Sequence, residues 1–318
     1  MGLLKKFMNT ILIIIVIIAV FLLISFINHK VQMNKEKALL TPLGEIVQVN
    51  GHNMSIYSEG KGKKTLVFLS GGGTCSPILD FKSLYSLLSE DYRIVVVEKF
   101  GYGFSDVIYE ERSIDIILSE TRAALAAANI EGPFILCPHS MSGIEALYWA
   151  QTYPEEVEAI IGLDMAVPEA YENYNINMFS IRLGQVAANS GITRWIPGIS
   201  ESDAIKYGTL TDQEKNIYKA VFYSRTATVT MIDEVQYILD NAKKVGEGNK
   251  PQLPMLLLIS NGMGTGWDEK TWRSAQKNYL KDAAHGSYIE YDCPHYIHDY
   301  VYGDLSVHMR DFINTIEG

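Results

Sequence analysis

The sequence predicts an α/β fold in which a mostly parallel sheet carries helices on both faces, preceded by one transmembrane helix. Short apolar runs alternate with segments of helical spacing through residues 45–164 and again through 251–318, as expected for a parallel sheet. The run at 65–69 is continuously apolar, which is typical of a central strand buried on both faces. A long apolar stretch at the N-terminus supplies the transmembrane segment.

Composition narrows the class of protein. The chain has 318 residues, 47% hydrophobic and 20% charged, which is enough apolar material for one large domain or two small ones. Its net charge of −10 argues against nucleic acid as a partner. The three cysteines, Cys75, Cys137 and Cys293, are an odd number without metal-ligand spacing, so neither a disulfide framework nor a cysteine metal site is expected.

The N-terminal stretch carries no charge between Phe7 and Asn28. Its roughly 22 residues span about 33 Å as a helix, close to the ~30 Å hydrocarbon core of a bilayer. A cleaved signal peptide would have a shorter apolar region and a small-x-small site, and residues 25–30 offer no such site. Residues 1–28 are therefore predicted to be an uncleaved anchor; a cleaved signal and a buried soluble helix are the alternatives.

The orientation of this anchor rests on its flanking charges. Lys5 and Lys6 precede it and three lysines follow it within residues 29–44, the predicted polar linker. The positive-inside count is close to a tie. Since a short basic tail before an apolar segment is typical of a signal-anchor, the C-terminal domain is expected outside the cytoplasm.

The first predicted central strand ends in three consecutive glycines, Gly71, Gly72 and Gly73. Glycines let the backbone approach a ligand closely, and ligands bind at the carboxyl ends of strands in open α/β sheets. A phosphate loop would require G-x-x-x-x-G-K-[ST] and a dinucleotide fold G-x-G-x-x-G, and neither pattern is present. An oxyanion-binding loop fits better; the alternative is a plain flexible loop.

A second motif lies at residues 134–143. An apolar run ends at Pro138, Ser140 follows, and helical spacing begins at 144, which indicates a strand, a sharp turn and a helix with the serine at the apex. Such a turn lifts the serine oxygen out of the sheet, and its usual pattern is G-x-S-x-G. Ser142 meets the second small position, whereas Pro138 departs from the first. The alternative is a core strand that happens to run into a helix.

These motifs carry a family resemblance. The segments 69–74, 101–106 and 138–143, followed by a late histidine, occur in the order seen in α/β-hydrolases. The resemblance covers about residues 45–318, and Gly-Tyr-Gly-Phe-Ser-Asp at 101–106 is its most family-like part.

Three residues depart from the family pattern: Ser70 where a histidine commonly precedes the glycine, Glu98 where aspartate is commoner, and Pro138. The resemblance implies a hydrolase core at 45–164 and 251–318, with an inserted helical cap at 165–250. Apolar and aromatic residues of that segment could line a substrate pocket, although most are expected in the cap's own core. They are Tyr171, Tyr174, Met178, Phe179, Trp195, Ile196, Tyr207, Tyr218, Phe222 and Tyr223.

A nucleophilic Ser140 requires a base, because a serine hydroxyl is a poor nucleophile at neutral pH. His295 lies just past the last predicted strand, where the resemblance places the catalytic histidine, and His298 is the reserve candidate. A metal site made of Cys293, His295, His298 and Asp299 is the alternative use of this loop, and would need four ligands to converge from one short segment.

The histidine in turn requires an acid. By resemblance the acid lies after the seventh strand, where Asp268 is the first carboxylate, and Asp164 after the sixth strand is the alternative. If Asp164 is not the acid, it is expected to cap or bond to a helix at the entry to the cap. The backbone N–H groups of Gly72 and Met141 are the expected oxyanion hole.

The resemblance implies a serine hydrolase that cleaves a carboxylic ester or related acyl bond through an acyl-enzyme, with an apolar acyl substrate and without cofactor or metal. Haloalkane dehalogenases are disfavoured because they use an aspartate where this chain has Ser140. Peptidases and thioesterases of the same fold remain alternatives. So does a non-catalytic small-ligand sensor, if Pro138 mis-aims the serine, and so does a membrane-tethered scaffold with no reactive serine.

Overall fold

In the computed structural model, one eight-stranded sheet organises the molecule. The structure describes residues 2–281, 283 and 285–316. The strands lie in the order β1-β2-β4-β3-β5-β6-β7-β8, and all pairs are parallel except β1 with β2 and β2 with β4. The predicted mostly parallel sheet is therefore confirmed. The strands are β1 (Glu45–Val49), β2 (His52–Glu59), β3 (Thr65–Leu69), β4 (Arg93–Glu98), β5 (Phe134–Pro138), β6 (Val157–Leu163), β7 (Met255–Ile259) and β8 (Gly286–Glu290).

From β3 onward at least one helix follows each strand, and a longer run of helices lies between β6 and β7. That run occupies the segment expected to form the cap. The α-helices are α1 (Gly2–Glu36), α2 (Pro77–Asp80), α3 (Lys82–Leu88), α4 (Ile114–Ala127), α5 (Ser142–Thr152), α6 (Pro168–Tyr171), α7 (Met178–Asn189), α8 (Asp203–Lys206), α9 (Asp212–Arg225), α10 (Val229–Gly246), α11 (Glu269–Leu280), α12 (Ile297–Tyr300) and α13 (Tyr302–Ile316).

Both faces of the sheet are covered. One face packs against α4, α5 and α11 and the other against α3 and α13, with every residue of β3, β5 and β7 buried. Burial on both faces explains why these strands are continuously apolar rather than alternating. The parallel strands β3 and β5–β7 all end at the same edge of the sheet, where the serine and glycine motifs follow β5 and β3.

Helix α1 is longer than the predicted anchor. It continues for 35 residues to Glu36, so part of the segment predicted as a linker is helical. Most of α1 is exposed, and by length and composition it could cross a membrane. Ser25 and His29 are buried beneath the 3-10 helix Ile192–Trp195. The side chain of Arg194 donates to Glu36 at 2.6 and 2.7 Å and to His29 Nδ1 at 3.0 Å, which ties the end of α1 to the cap.

The long cap helix α10 is bonded to the core at two points. The Thr230 hydroxyl accepts from the Ile108 N–H at 2.9 Å and donates to the Ile108 carbonyl at 2.8 Å. The Asn241 amide accepts from the Ile114 N–H at 2.8 Å and donates to the Arg112 carbonyl at 3.0 Å. Each side chain satisfies buried backbone groups of the core that would otherwise lack partners.

Buried charge also joins cap and core. Lys99, at the end of β4, forms ion pairs with Glu234 of α10 and Glu145 of α5, and all three side chains are almost fully buried. The Tyr102 hydroxyl donates to Glu234 at 2.7 Å. Because an unpaired buried charge is costly, this network favours a cap that stays closed on the core at α10.

Glu98, one of the three departures from the family pattern, is a buried carboxyl beneath the 101–106 loop. It accepts from the Phe104 N–H at 2.9 Å, and a Cβ at Gly103 would lie 2.0 Å from its carboxyl group. Burial raises the pKa of Glu98 to about 7. The loop therefore closes on a carboxyl that is largely protonated below neutral pH.

This shift makes stability depend on pH. The Glu98 carboxyl has a pKa of 4.5 when unperturbed and about 7 in the fold, so between these values the unfolded chain releases a proton that the folded chain keeps. We expect Glu98 to lower the free energy of unfolding by about 2 kcal/mol as pH rises from about 5 to about 7.5. Glu98→Gln, whose amide oxygen can still accept from Phe104, should remove that component in urea titrations. A variant whose pH profile parallels the wild type would contradict the assignment.

Candidate active site

Ser140 occupies the turn between β5 and α5 with a backbone φ of +54°. A non-glycine residue rarely adopts this conformation, and strain of this kind is held by its surroundings. The Ser140 carbonyl accepts from the N–H groups of Gly143 at 3.0 Å and Ala166 at 2.8 Å. The predicted strand–turn–helix motif therefore has the expected backbone, with Pro138 as the last residue of β5 and paired with Leu69.

Close packing explains the small residues around the turn. A Cβ on Gly71 would lie 2.6 Å from the Ser140 Cβ, and one on Gly143 would lie 2.1 Å from the Ala166 carbonyl oxygen. The Ser142 hydroxyl donates to the carbonyl of Leu69 or His139, at 2.6 and 2.8 Å, which fixes the turn to the end of β3. Glycine is thus required where backbones approach each other, and Ser142 adds a hydrogen bond that glycine could not make.

Two backbone N–H groups are available beside Ser140. No described residue accepts a hydrogen bond from the N–H of Met141 or of Gly72, and both residues line a cavity together with Ser140. The Gly72 backbone lies against the Met141 side chain, since an added Cβ would lie 2.9 Å from the Met141 Cε. Free N–H groups beside a nucleophile are the donors that an oxyanion hole uses.

The cavity has a volume of about 370 Å³. Core residues Gly72, Ser140 and Met141 meet cap residues here, and Trp267 of the loop after β7 completes the lining. Of the cap aromatics expected from the sequence, Tyr171 and Tyr174 reach the cavity, and the Tyr174 ring stacks on Trp267 at 4.2 Å. The remaining lining residues are Asn175, Ile176, Asn177, Ser180, Ile181, Val235 and Ile238.

His295 lies in the loop after β8, as predicted. Its Nδ1 is 2.5 Å from the Asp164 Oδ2, so this nitrogen carries the proton and Nε2 is left free to act as a base. Its ring contacts that of His139, the residue before Ser140, with centroids 4.5 Å apart. Among the described residues no hydrogen bond joins Ser140 to His295, as is often found without substrate.

The partner of His295 is Asp164, the alternative acid, and the expectation that Asp268 fills this role is not met. Asp164 directly follows β6 with a φ of +50° and is fully buried. It also accepts from the Ser260 N–H at 2.7 Å, the Ser260 hydroxyl at 2.6 Å and the Trp272 indole at 2.8 Å. These donors hold the carboxylate in one orientation toward His295.

Asp268 is instead the N-cap of α11. Its carboxylate accepts from the Thr271 N–H at 3.0 Å and the Thr271 hydroxyl at 2.6 Å, and these bonds lower its pKa. A capping role was weighed for Asp164, so the two aspartates exchange their expected roles. The sequence signal was present, because Asp is a preferred N-cap residue immediately before a helical run.

His139 is a residue whose contribution the sequence did not reveal. Its ring is buried and its Nε2 donates to the His295 carbonyl at 3.2 Å. Burial and the neighbouring His295 keep the pKa of His139 well below its usual value, so the ring is neutral. His139 therefore positions the His295 loop against the serine turn.

His298 and Asp299 do not form the alternative metal set with Cys293 and His295. His298 Nε2 is 3.1 Å from the Asp80 Oδ2, and possible ligand atoms of Asp80, His298 and Asp299 lie within 4.8 Å of one another. Burial and the Asp80 charge raise the pKa of Asp299 well above its usual value, which favours a protonated carboxyl.

Comparison with known proteins supports one fold. No protein-family model matches the chain. An epoxide hydrolase from Bacillus megaterium superposes with a TM-score of 0.64 at 17% identity, over 85% of this chain and all of that one. Cfl2 from Burkholderia cenocepacia superposes with a TM-score of 0.65 at 17% identity, over 84% of this chain and 94% of that one.

A sequence relative is closer in identity. YbdG of Bacillus subtilis (strain 168) is 40% identical over 238 residues, which are 73% of either chain. YqjL of the same organism is 25% identical over 111 residues, covering 35% of this chain and 43% of YqjL. The chain therefore belongs to the family of YbdG and has the α/β-hydrolase fold.

Proposed function

We propose that the protein is a hydrolase that cleaves a carboxylic ester of an apolar acyl group, using Ser140, His295 and Asp164. The observation that carries the proposal is the contact between His295 Nδ1 and Asp164 at 2.5 Å. The His295 ring contacts His139, the residue before Ser140 in the strained turn, and Ser140 lines a cavity. A serine turn, a free imidazole nitrogen and free backbone donors are together the parts that acyl transfer requires.

The chemistry follows from the position of each group. His295 Nε2 takes the proton of the Ser140 hydroxyl as its oxygen attacks the ester carbonyl carbon. The N–H groups of Met141 and Gly72 stabilise the oxyanion, and Asp164 stabilises the imidazolium through Nδ1. His295 then protonates the departing alcohol. A water molecule, deprotonated by the same nitrogen, attacks the acyl carbon, and His295 returns the proton to the Ser140 oxygen as the bond to the acid breaks.

The cavity supports an apolar acyl group. Ile176, Ile181, Val235 and Ile238 line it beside the Tyr174–Trp267 stack. Pockets of this composition bind a ligand mainly through burial of apolar surface. We further propose that α1 anchors the enzyme in a membrane, with the catalytic domain outside the cytoplasm.

The test is covalent labelling of the full chain by a fluorophosphonate, which reacts only with an activated serine. Wild type should label, Ser140→Ala should not, and Ser142→Ala should still label because its hydroxyl only supports the turn. Folded wild type that remains unlabelled would overturn the proposal and favour a non-catalytic ligand-binding protein. Labelling that persists in Ser140→Ala would place the nucleophile elsewhere.

A further inference from the structure

The cap exposes an apolar surface, which we call the apolar cap face. It comprises large side chains that are between 48% and 77% exposed, namely Phe179, Leu183, Val186, Trp195 and Ile196. The first three recur at spacings of four and three residues and so share one side of α7. A cluster of exposed aromatic and aliphatic side chains is typical of a binding surface rather than of ordinary protein surface.

The position of this surface relative to α1 identifies what it faces. The Trp195 ring lies 5.9 Å from the Phe21 ring, and its indole N–H donates to the Ser25 hydroxyl at 3.1 Å. Phe21 and Ser25 belong to the uncharged stretch of α1, which ends at Asn28. If that stretch spans a bilayer, Trp195 lies at its edge, about 5 Å inward from Asn28 along the helix.

Along α1, cationic side chains begin where the uncharged stretch ends, which matches the step from acyl chains to headgroups in a lipid leaflet. Beyond Asn28, α1 presents exposed Lys30 and Lys35, and Lys37 follows it. Cations beside an apolar segment are favoured at the headgroup level of anionic lipids, and tryptophan is enriched at that interface. In order along the helix axis, the apolar side chains of α1 come first, then Trp195 packed beside Ser25, and then the cationic side chains.

Helix α7 links this surface to the active site. Its N-cap Asn177 and its residues Ser180 and Ile181 line the Ser140 cavity, whereas Phe179, Leu183 and Val186 are exposed. Twelve residues of helix measure about 18 Å, and a two-residue connection joins α7 to the 3-10 helix that contacts α1. One helix therefore separates the cavity from the exposed apolar surface.

We propose that the apolar cap face lies in the interfacial region of the lipid bilayer that holds α1, and that the substrate is an ester of a long-chain fatty acid drawn from that bilayer. The location of the face rests on the proposed anchoring of α1 in a membrane but not on catalysis, whereas the substrate class rests on the proposed hydrolase activity. An ester dissolved in the membrane would reach the Ser140 cavity past α7 without crossing water.

The location is tested by depth-dependent quenching. The three native cysteines are buried, and burial raises the pKa of Cys75 and Cys293 to about 11, so an environment-sensitive fluorophore will react with an introduced cysteine. The full chain carrying Leu183→Cys is placed in nanodiscs of phosphatidylcholine and phosphatidylglycerol with spin-labelled lipid. The control is Val307→Cys, an equally exposed site on α13 outside the cap.

We expect the fluorophore at 183 to be quenched at least about threefold more strongly than the one at 307. Equal, weak quenching at the two sites would overturn the bilayer contact. The readout needs no catalysis, so it decides the location even if Ser140 proves unreactive.

The substrate class is tested with the variant Phe179→Ser/Leu183→Ser/Val186→Ser, with Val307→Ser as its control. Hydrolysis of 4-methylumbelliferyl oleate dissolved in the nanodiscs should fall about tenfold, while fluorophosphonate labelling and hydrolysis of water-soluble p-nitrophenyl acetate stay unchanged. Unchanged oleate hydrolysis would overturn the bilayer-borne substrate. A wild type that is labelled but hydrolyses only the acetate would also overturn the bilayer-borne substrate. A wild type that is not labelled and hydrolyses neither ester would refute the proposed function instead.

Discussion

Asp164→Asn is expected to lower kcat/KM for a p-nitrophenyl ester by about 10⁴-fold, the loss known from the corresponding change in a serine protease. The asparagine oxygen can still accept from Ser260 and Trp272 at the Oδ1 position. At the Oδ2 position its amide presents a donor to His295 Nδ1. The imidazole must then carry its proton on Nε2, and it can no longer accept the proton of Ser140.

The matched control is Asp268→Asn. Asp268 is exposed and bonds only within its own helix turn, so kcat/KM should stay within about twofold of wild type. Thermal unfolding of both variants shows whether the buried Asp164 change also affects folding. The assignment fails if Asp268→Asn gives the larger loss of kcat/KM, because His295 would then depend on the acid after β7.

Gly143→Ala is expected to lower the free energy of unfolding by about 3 kcal/mol. The new Cβ would lie 2.1 Å from the Ala166 carbonyl oxygen and 3.0 Å from the Met165 side chain. A backbone oxygen cannot move aside as a flexible side chain can, so α5 or the segment after β6 must shift. Since the Ser140 carbonyl accepts from both Gly143 and Ala166, the shift also distorts the nucleophile turn.

Urea unfolding of Gly143→Ala measures the loss, and fluorophosphonate labelling reports the turn. Gly184→Ala is the control, because an added Cβ at this helical position meets nothing within 4 Å and should be neutral or stabilising by up to about 1 kcal/mol. A Gly143→Ala protein as stable as wild type would contradict this prediction. It would show that Gly143 and the Ala166 carbonyl oxygen are not in close contact.

The central strands of the sheet were predictable because burial on both faces leaves them continuously apolar, as in 65–69 and 255–259. The serine turn was also predictable, since it depends on neighbours in the sequence. Each of these features depends on residues that are close together in the sequence, and hydrophobic periodicity and turn-forming residues act over that range.

The acid was harder to assign because the partner of His295 depends on contacts between distant segments. Asp164 is held by Ser260 and Trp272, which lie about a hundred residues further along the chain, and no local pattern marks that convergence. The continuation of α1 to Glu36 was hard to predict for the same reason, because Arg194 of the cap stabilises the last turns of the helix. Local polarity indicated a linker, and a tertiary contact outweighed it.

The attachment of α10 to the core restricts how molecules enter and leave. Thr230, Glu234 and Asn241 bond the helix to the core at three points along its length, so the cap cannot swing open as a rigid lid without breaking buried bonds. Substrate and product must instead pass the segment 172–181, which borders the cavity and is only partly buried. Product release would then be gated by fluctuations of this short segment, and substitutions of its cavity-lining residues Asn175 and Ile176 should change turnover without altering the chemical step.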